Sequence, residues 1–201
     1  DYGADFKGEA KSEAYYNLVK RLLKSNIPVQ GVGFQCHLGL GVDASKFENN
    51  VKRYADLGVE VSLTELDITT WNAGDYEQHI RQGEDYRALL EVALKYKHIR
   101  NFVVWGVTDD KSWRSPDPLL FKSNYKPKYA FFALRNTLEE WADRAAGIED
   151  IEVDEQLPEL SPYVDVYDIT GRLVKQQLER EQINSLDPGL YIIDRKKILI
   201  R

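Results

Sequence analysis

Glu65 and Asp67, separated by one leucine at the end of an apolar run that begins at Val59, are the residues best placed for chemistry. Alternation along a strand sends both carboxylates to one face. Two acids side by side repel each other and lose solvation, so packing alone gives no reason to put them there. Two other apolar runs end in groups that such a pair could use. Val29 to Phe34 leads into Gln35, Cys36 and His37, and Asn101 to Val104 leads into Trp105 and then Asp109. An ionised carboxylate can attack an activated acetal carbon. An imidazole beside it can donate to one carboxylate oxygen while the second acid fixes the ring's tautomer. Indole faces make platforms for sugar rings, and the Gln35 amide can bind hydroxyls. Together these groups could cleave a glycosidic bond with no metal and no cofactor. Taken singly, each has a plainer reading: His37 as a packing histidine, Trp105 and Trp113 as core or rim, Glu65-Leu66-Asp67 as a strand running into a loop.

The elements that must position them follow from hydrophobic periodicity. Ser12 to Lys24 carries an amphipathic stripe and predicts a helix, stopped by Ser25-Asn26-Ile27-Pro28. Val29 to Phe34 predicts a buried strand. Ser45 with Glu48 predicts a capping box for a second helix closed by Gly58. A third helix is expected over roughly Glu84 to Lys97, a buried strand over residues 101–106, and a last helix from near Pro127 to Trp141. Helix and strand alternate, which means parallel strands with right-handed crossovers. The fold class is therefore α/β, either an open sheet or part of a (β/α)8 barrel. No glycine-rich phosphate loop follows any strand, which weakens a nucleotide-binding reading. Polar and aromatic residues gather instead at successive strand ends, the habit of a barrel. Four such units make only half a cylinder, with two raw sheet edges and one uncovered inner face.

A net charge of −6 leaves no basic stripe for phosphates and argues against nucleic acid as a partner. No apolar run approaches a membrane span. Cys36 is the single cysteine, so no internal disulfide can form. The chain contains no methionine and opens on Asp1-Tyr2, which reads as a piece of a longer protein.

Several motifs then fall in register. Gly31-Val-Gly-Phe-Gln-Cys-His37, Leu63-Thr-Glu-Leu-Asp67 and Trp105-Gly-Val-Thr-Asp-Asp-Lys-Ser-Trp113-Arg114 resemble, in order and spacing, the glycoside hydrolase family 10 endo-β-1,4-xylanases. Pro118-Leu-Leu-Phe121 and Tyr125-Lys-Pro-Lys128 continue the match, and Asp1-Tyr2 resembles the end of that family's Asn-Asp-Tyr-Asn, with Gly3 departing from it. The resemblance covers residues 1–142. It implies the C-terminal half of a (β/α)8 barrel, about strands 6–8 with their helices, from an enzyme cleaving internal bonds of xylan with retention. By the same resemblance, Glu65 is the nucleophile, His37 and Asp67 are the pair that orients it, and Gln35, Trp105, Trp113 and Arg114 line sugar subsites. The family's acid/base glutamate, which closes a Trp-Asp-Val-Val-Asn-Glu stretch, has no counterpart in this chain. The partners implied are xylan or xylo-oligosaccharide and a missing N-terminal half of the barrel.

Residues 143–160 are acidic and read as a linker. Residues 161–201 switch to period two, with a hairpin signal at Asp168-Ile-Thr-Gly171 and a turn at Leu186-Asp-Pro-Gly189, and predict a small antiparallel β appendage. Val164 to Val174, Leu186 to Ile192 and the closing Lys-Lys-Ile-Leu-Ile-Arg201 resemble the C-terminal sorting domains of Bacteroidetes type 9 secretion cargo, which implies a secreted or cell-surface location. Three other readings stand beside the xylanase fragment. One is a non-catalytic xylan-binding half-barrel, another a related retaining β-1,4-glucanase, and a third a fragment that self-associates to close its sheet.

Overall fold

The computed structural model describes residues 1–145, 163–168, 171–193 and 196–200. It divides into two compact units, 1–149 and 150–201. In the first, the order is α1 (Ala10–Lys24), β1 (Gly31–Phe34), β2 (His37–Gly39), α2 (Ala44–Ala55), β3 (Glu60–Thr69), α3 (Tyr76–Lys95), β4 (Ile99–Val104), a short 3₁₀ turn (Asp109–Lys111) and α4 (Tyr129–Ala145).

β3 is the centre of the sheet. It pairs in parallel with β1, with β2 and with β4. β1 and β2 are successive pieces of one strand position, broken at Gln35 and Cys36. Val32, Phe34, Val61, Leu63, Leu66 and Ile68 are buried against Phe47, Val51 and Tyr54 of α2 and Tyr86 and Leu89 of α3. The opposite face carries Gly31, Gly33, Ser62 and Asn101, small or polar residues, with Val103 exposed at its edge. The apolar face under α2 and α3 is the one a barrel wall turns outward to its helices.

The helix ends explain where the sequence reading was right and where it slipped. α1 closes because Asn26 turns left-handed (φ 57), letting the Ile27 N–H reach the Leu22 carbonyl. α2 closes the same way at Gly58, with the Val59 N–H donating to the Tyr54 carbonyl. Its N-cap is Asp43, whose carboxylate accepts from the Lys46 N–H, so the expected Ser45–Glu48 capping box gives way to an acceptor two residues earlier. α3 begins eight residues before the expected Glu84, because Asp75 caps it by accepting from the Gln78 N–H. α4 starts at Tyr129 rather than Pro127, since Pro127 is engaged in a β-bridge with Phe121. α4 also runs through 143–145, so the first residues of the expected acidic linker are helical, and the linker from 146 on lies outside the described residues.

Buried Arg53 ties α1 to α2. Its Nη1 lies 2.7 Å from Glu13, its Nε donates to Asn50 at 2.7 Å, and its guanidinium stacks on Tyr16 at 4.3 Å. Within the second unit, β5 (Tyr163–Asp168), β6 (Leu173–Glu179), β7 (Gly189–Ile193) and β8 (Lys196–Ile200) form an antiparallel sheet in the order β6-β5-β7-β8. Val164, Val166 and Ile193 make its small core. Among the described residues no helix is long and apolar enough to cross a membrane.

Candidate active site

The site is made by an irregularity in β3. Leu63 pairs with Phe102 and Leu66 with Val104, so β3 spends three residues where β4 spends two. On the other side Phe34 pairs with Leu63 and His37 with Asp67, so β3 again carries one residue extra. Such a bulge inverts the facing of everything beyond it. Val61 and Leu63 point to the core before it, and Leu66 and Ile68 after it. Glu65 and Asp67 therefore turn to the inner face, beside the strand end that delivers His37.

His37 joins the two acids. Its Nδ1 lies 2.9 Å from Oδ2 of Asp67 and its Nε2 lies 3.2 Å from Oε2 of Glu65. An ionised carboxylate only accepts, so with both acids ionised each ring nitrogen must carry and donate its proton. Asp67 is fully buried and has two further partners. Oδ2 accepts from the Trp113 indole N–H at 3.1 Å, and Oδ1 from Arg114 Nη1 at 2.6 Å. The Arg114 guanidinium thus sets a positive charge against the buried Asp67, which reduces the electrostatic objection to burying that acid. Glu65 is the member left open: its side chain is 24% exposed, and no hydrogen bond reaches its Oε1 among the described residues.

Trp113 also packs edge-on against the His37 ring, with centroids 4.7 Å apart, and still leaves 64% of its surface exposed. Arg114 reaches past Asp67 to donate to the Leu38 carbonyl at 2.9 Å, so its guanidinium serves the acid and the strand end. Trp105 follows β4 on the exposed inner face, 46% exposed, with its backbone N–H on the Leu66 carbonyl. No ring contact or side-chain hydrogen bond links its indole to the cluster among the described residues. Gln35 contributes its backbone to the site, its carbonyl accepting from the Glu65 N–H.

The loop that brings in Trp113 and Arg114 is pinned by residues to which the sequence reading gave no role in the site. The Pro118 and Pro116 carbonyls accept from the Ile68 and Thr70 N–H groups, extending the ladder of β3. Gln82, buried in α3, donates through its side-chain nitrogen to the Ile68 and Asp117 carbonyls, each at 2.5 Å. Tyr86 donates to the Pro118 carbonyl and His79 pairs with the Asp117 carboxylate at 2.9 Å. Lys128, with a fully buried side chain, reaches both Asp109 and the Asp117 carbonyl. Burial pushes the Asp109 carboxyl up and the Lys128 ammonium down, each opposed by the charge of the other. Asp109, grouped with Trp105 from its strand-end position, is thus part of the loop's foundation. Polar residues on a helix otherwise patterned for the core, such as Gln82 and Tyr86 in α3, were the available signal. Among the described residues no three His, Cys, Asp or Glu side chains are grouped to hold a metal ion.

The chain resembles known proteins in sequence and in fold. The chain is 34% identical over 139 residues to endo-1,4-beta-xylanase B of Thermotoga neapolitana, covering 65% of this chain and 40% of that protein. It is 33% identical over 179 residues to endo-1,4-beta-xylanase A of Thermoanaerobacterium saccharolyticum, covering 87% of this chain and 15% of that protein. Among solved structures, native xylanase 10B from Thermotoga maritima superposes with a TM-score of 0.67 at 30% identity, over 72% of this chain and 47% of that one. Xylanase 10B from Thermotoga petrophila, solved in complex with xylobiose, matches with a TM-score of 0.65 at 30% identity, over 70% of this chain and 45% of that one. The chain thus spans about half the length of these structures, and its sheet and helices are half of a (β/α)8 barrel. The sequence profile of glycosyl hydrolase family 10 matches residues 1–137, and the chain belongs to that family.

Proposed function

We propose that this chain carries the nucleophile half of a retaining endo-1,4-β-xylanase acting on xylan. The observation that supports this most directly is Glu65, held by His37 at one carboxylate oxygen and open at the other, on the inner face beside exposed indoles. In a retaining mechanism the nucleophile attacks the anomeric carbon while a second carboxyl, about 5–5.5 Å away, protonates the leaving oxygen. Glu65 is the attacking group in this reading. His37 and Asp67 orient it, Arg114 and the Trp113 N–H hold Asp67, and Trp113, Trp105 and Gln35 face the sugar. The acid/base is supplied by a segment outside these 201 residues. Proton delivery to the leaving group contributes roughly 10²–10⁴ in rate, so this chain alone should not release reducing sugar from xylan.

A mechanism-based probe separates attack from proton delivery. A 2-deoxy-2-fluoro xylobioside with a nitrophenolate leaving group departs without protonation, so it needs the nucleophile alone. With the barrel completed by its N-terminal half, the expected product is a covalent glycosyl ester on Glu65, located by mass spectrometry of peptides. Labelling elsewhere, or equal labelling of Glu65→Gln, would overturn the assignment. Retention of xylan in affinity electrophoresis without any labelling would favour the xylan-binding reading.

Two further proposals concern the rest of the protein. Residues 161–201 act as a sorting signal that directs the protein to the cell surface or the medium. Fusion of these residues to a periplasmic reporter, followed by its failure to leave a type 9 secretion host, would count against this. The exposed inner face of the sheet, with Val103 and Trp105, also favours self-association of the isolated chain. Sedimentation giving a well-folded monomer would dispose of it.

A further inference from the structure

The strand position that delivers His37 is not continuous. Between β1 and β2 lie Gln35 and Cys36, and Cys36 adopts a left-handed backbone (φ 63) that a residue with a side chain avoids. The break is used by the site: the Gln35 carbonyl accepts from the Glu65 N–H and the Cys36 carbonyl from the Asp67 N–H. Turned this way, the Cys36 N–H is taken by the Asp5 carboxylate, Oδ1 at 3.1 Å. Asp5 is itself only 3% exposed, and the groups acting on its carboxyl are the peptide N–H and thiol of Cys36 and the N-terminal ammonium of Asp1. Burying an acid is costly, and the hydrogen bond from the Cys36 N–H offsets part of that cost. Its backbone is braced as well. Asn50 of α2 donates to the Ala4 and Asp5 carbonyls at 2.8 and 2.9 Å, and Asn50 is fixed in turn by Arg53.

We propose that Asp5 is a positioning residue for His37, and through it for Glu65, by holding the Cys36 peptide in its left-handed turn. The link to catalysis rests on the reading of Glu65 as nucleophile; the structural part does not.

The test reads the His37 ring itself. The chain contains three histidines, and 15N labelling with His79→Gln and His98→Gln variants assigns them. His37 should show two ring N–H protons protected from exchange, one bonded to Asp67 and one to Glu65. Asp5→Ala should lose both, because the Cys36 N–H is orphaned and the turn relaxes. Asp5→Asn should keep both, since its amide oxygen still accepts from that N–H. Adding Cys36→Gly to Asp5→Ala should restore them, because glycine holds a positive φ without the Cβ penalty. Gly58→Ala, a strained substitution at the distant end of α2, serves as the control for general loosening and should keep both signals. Protected protons persisting in Asp5→Ala, or lost equally in Gly58→Ala, would overturn the proposal while leaving the reading of Glu65 intact. Their absence from the unmodified chain would instead remove the Glu65–His37–Asp67 geometry, and with it both readings.

Discussion

Arg114 Nη1 sits 2.6 Å from Oδ1 of Asp67, joining a loop residue to a fully buried acid at the end of β3. This contact makes the acid pair tolerable. Without it Asp67, fully buried, would lose its guanidinium partner.

Arg114→Ala is accordingly expected to destabilise the chain by roughly 3–5 kcal/mol, the usual cost of stranding one member of a buried ion pair. Arg114→Lys keeps the charge and three N–H donors on a shorter side chain, so its loss should be smaller. Urea denaturation of the three chains measures this. Equal midpoints for Arg114→Ala and the parent would mean that the guanidinium contributes nothing to the fold.

Gln82 serves two carbonyls from within α3, at Ile68 and at Asp117. Gln82→Leu preserves the approximate volume but leaves the Ile68 carbonyl without its side-chain donor, at about 1–3 kcal/mol, while the Asp117 carbonyl keeps Lys128. The loop carrying Trp113 and Arg114 should also loosen. Amide exchange of Ile68 and Thr70, whose N–H groups bond to that loop, should quicken in the variant. Unchanged protection there would show that Gln82 is not what holds the loop to β3.

Gly83 occupies the interior of α3, where alanine ordinarily gains about 1 kcal/mol through helix propensity. Here an added Cβ would collide with the Tyr129 ring, at the packing of α3 on α4. Gly83→Ala should therefore lower stability, by roughly 1–3 kcal/mol for an overpacked contact. In a Tyr129→Ala background the loss should shrink, the backbone nitrogen of Ala130, 3.3 Å from the added Cβ, being the tight contact that remains. Additive effects of the two changes in thermal melts would contradict the clash.

Asp5 gives a pH dependence of definite sign. Burial holds its carboxyl above the ordinary 3.8, so the folded chain binds that proton more tightly than the unfolded chain does. The stability it contributes is present below 3.8 and is lost as pH rises through the folded value. Asp85 and Asp109, also raised by burial, act in the same direction. Asp5→Asn has no proton to lose, so its stability relative to the parent should climb with pH from about 4 upward, by at most ~1.4 kcal/mol per pH unit. Urea midpoints of both chains at several pH values test this, and a flat difference would show that Asp5 does not titrate in that window.

The sequence by itself determined the alternation of helix and parallel strand, the glycine and asparagine that end α1 and α2, and the residues at the strand ends. These are local matters: periodicity, turn residues and capping chemistry act within a few positions. It also determined that Glu65 and Asp67 share a face, because period two is a property of any strand. Which face they share was decided elsewhere. Unbroken alternation from Val61 and Leu63 carries both acids into the helix-covered core, and only the extra residue in β3, forced by its pairing with both neighbours, turns them inward. The support of Asp67 by Arg114 and the hold of Asp5 on Cys36 belong to the same class. They join residues 47 and 31 positions apart, so no window of sequence contains both partners. A buried charge becomes affordable only once the folded chain has brought its partner within reach, and that is a property of the tertiary structure alone.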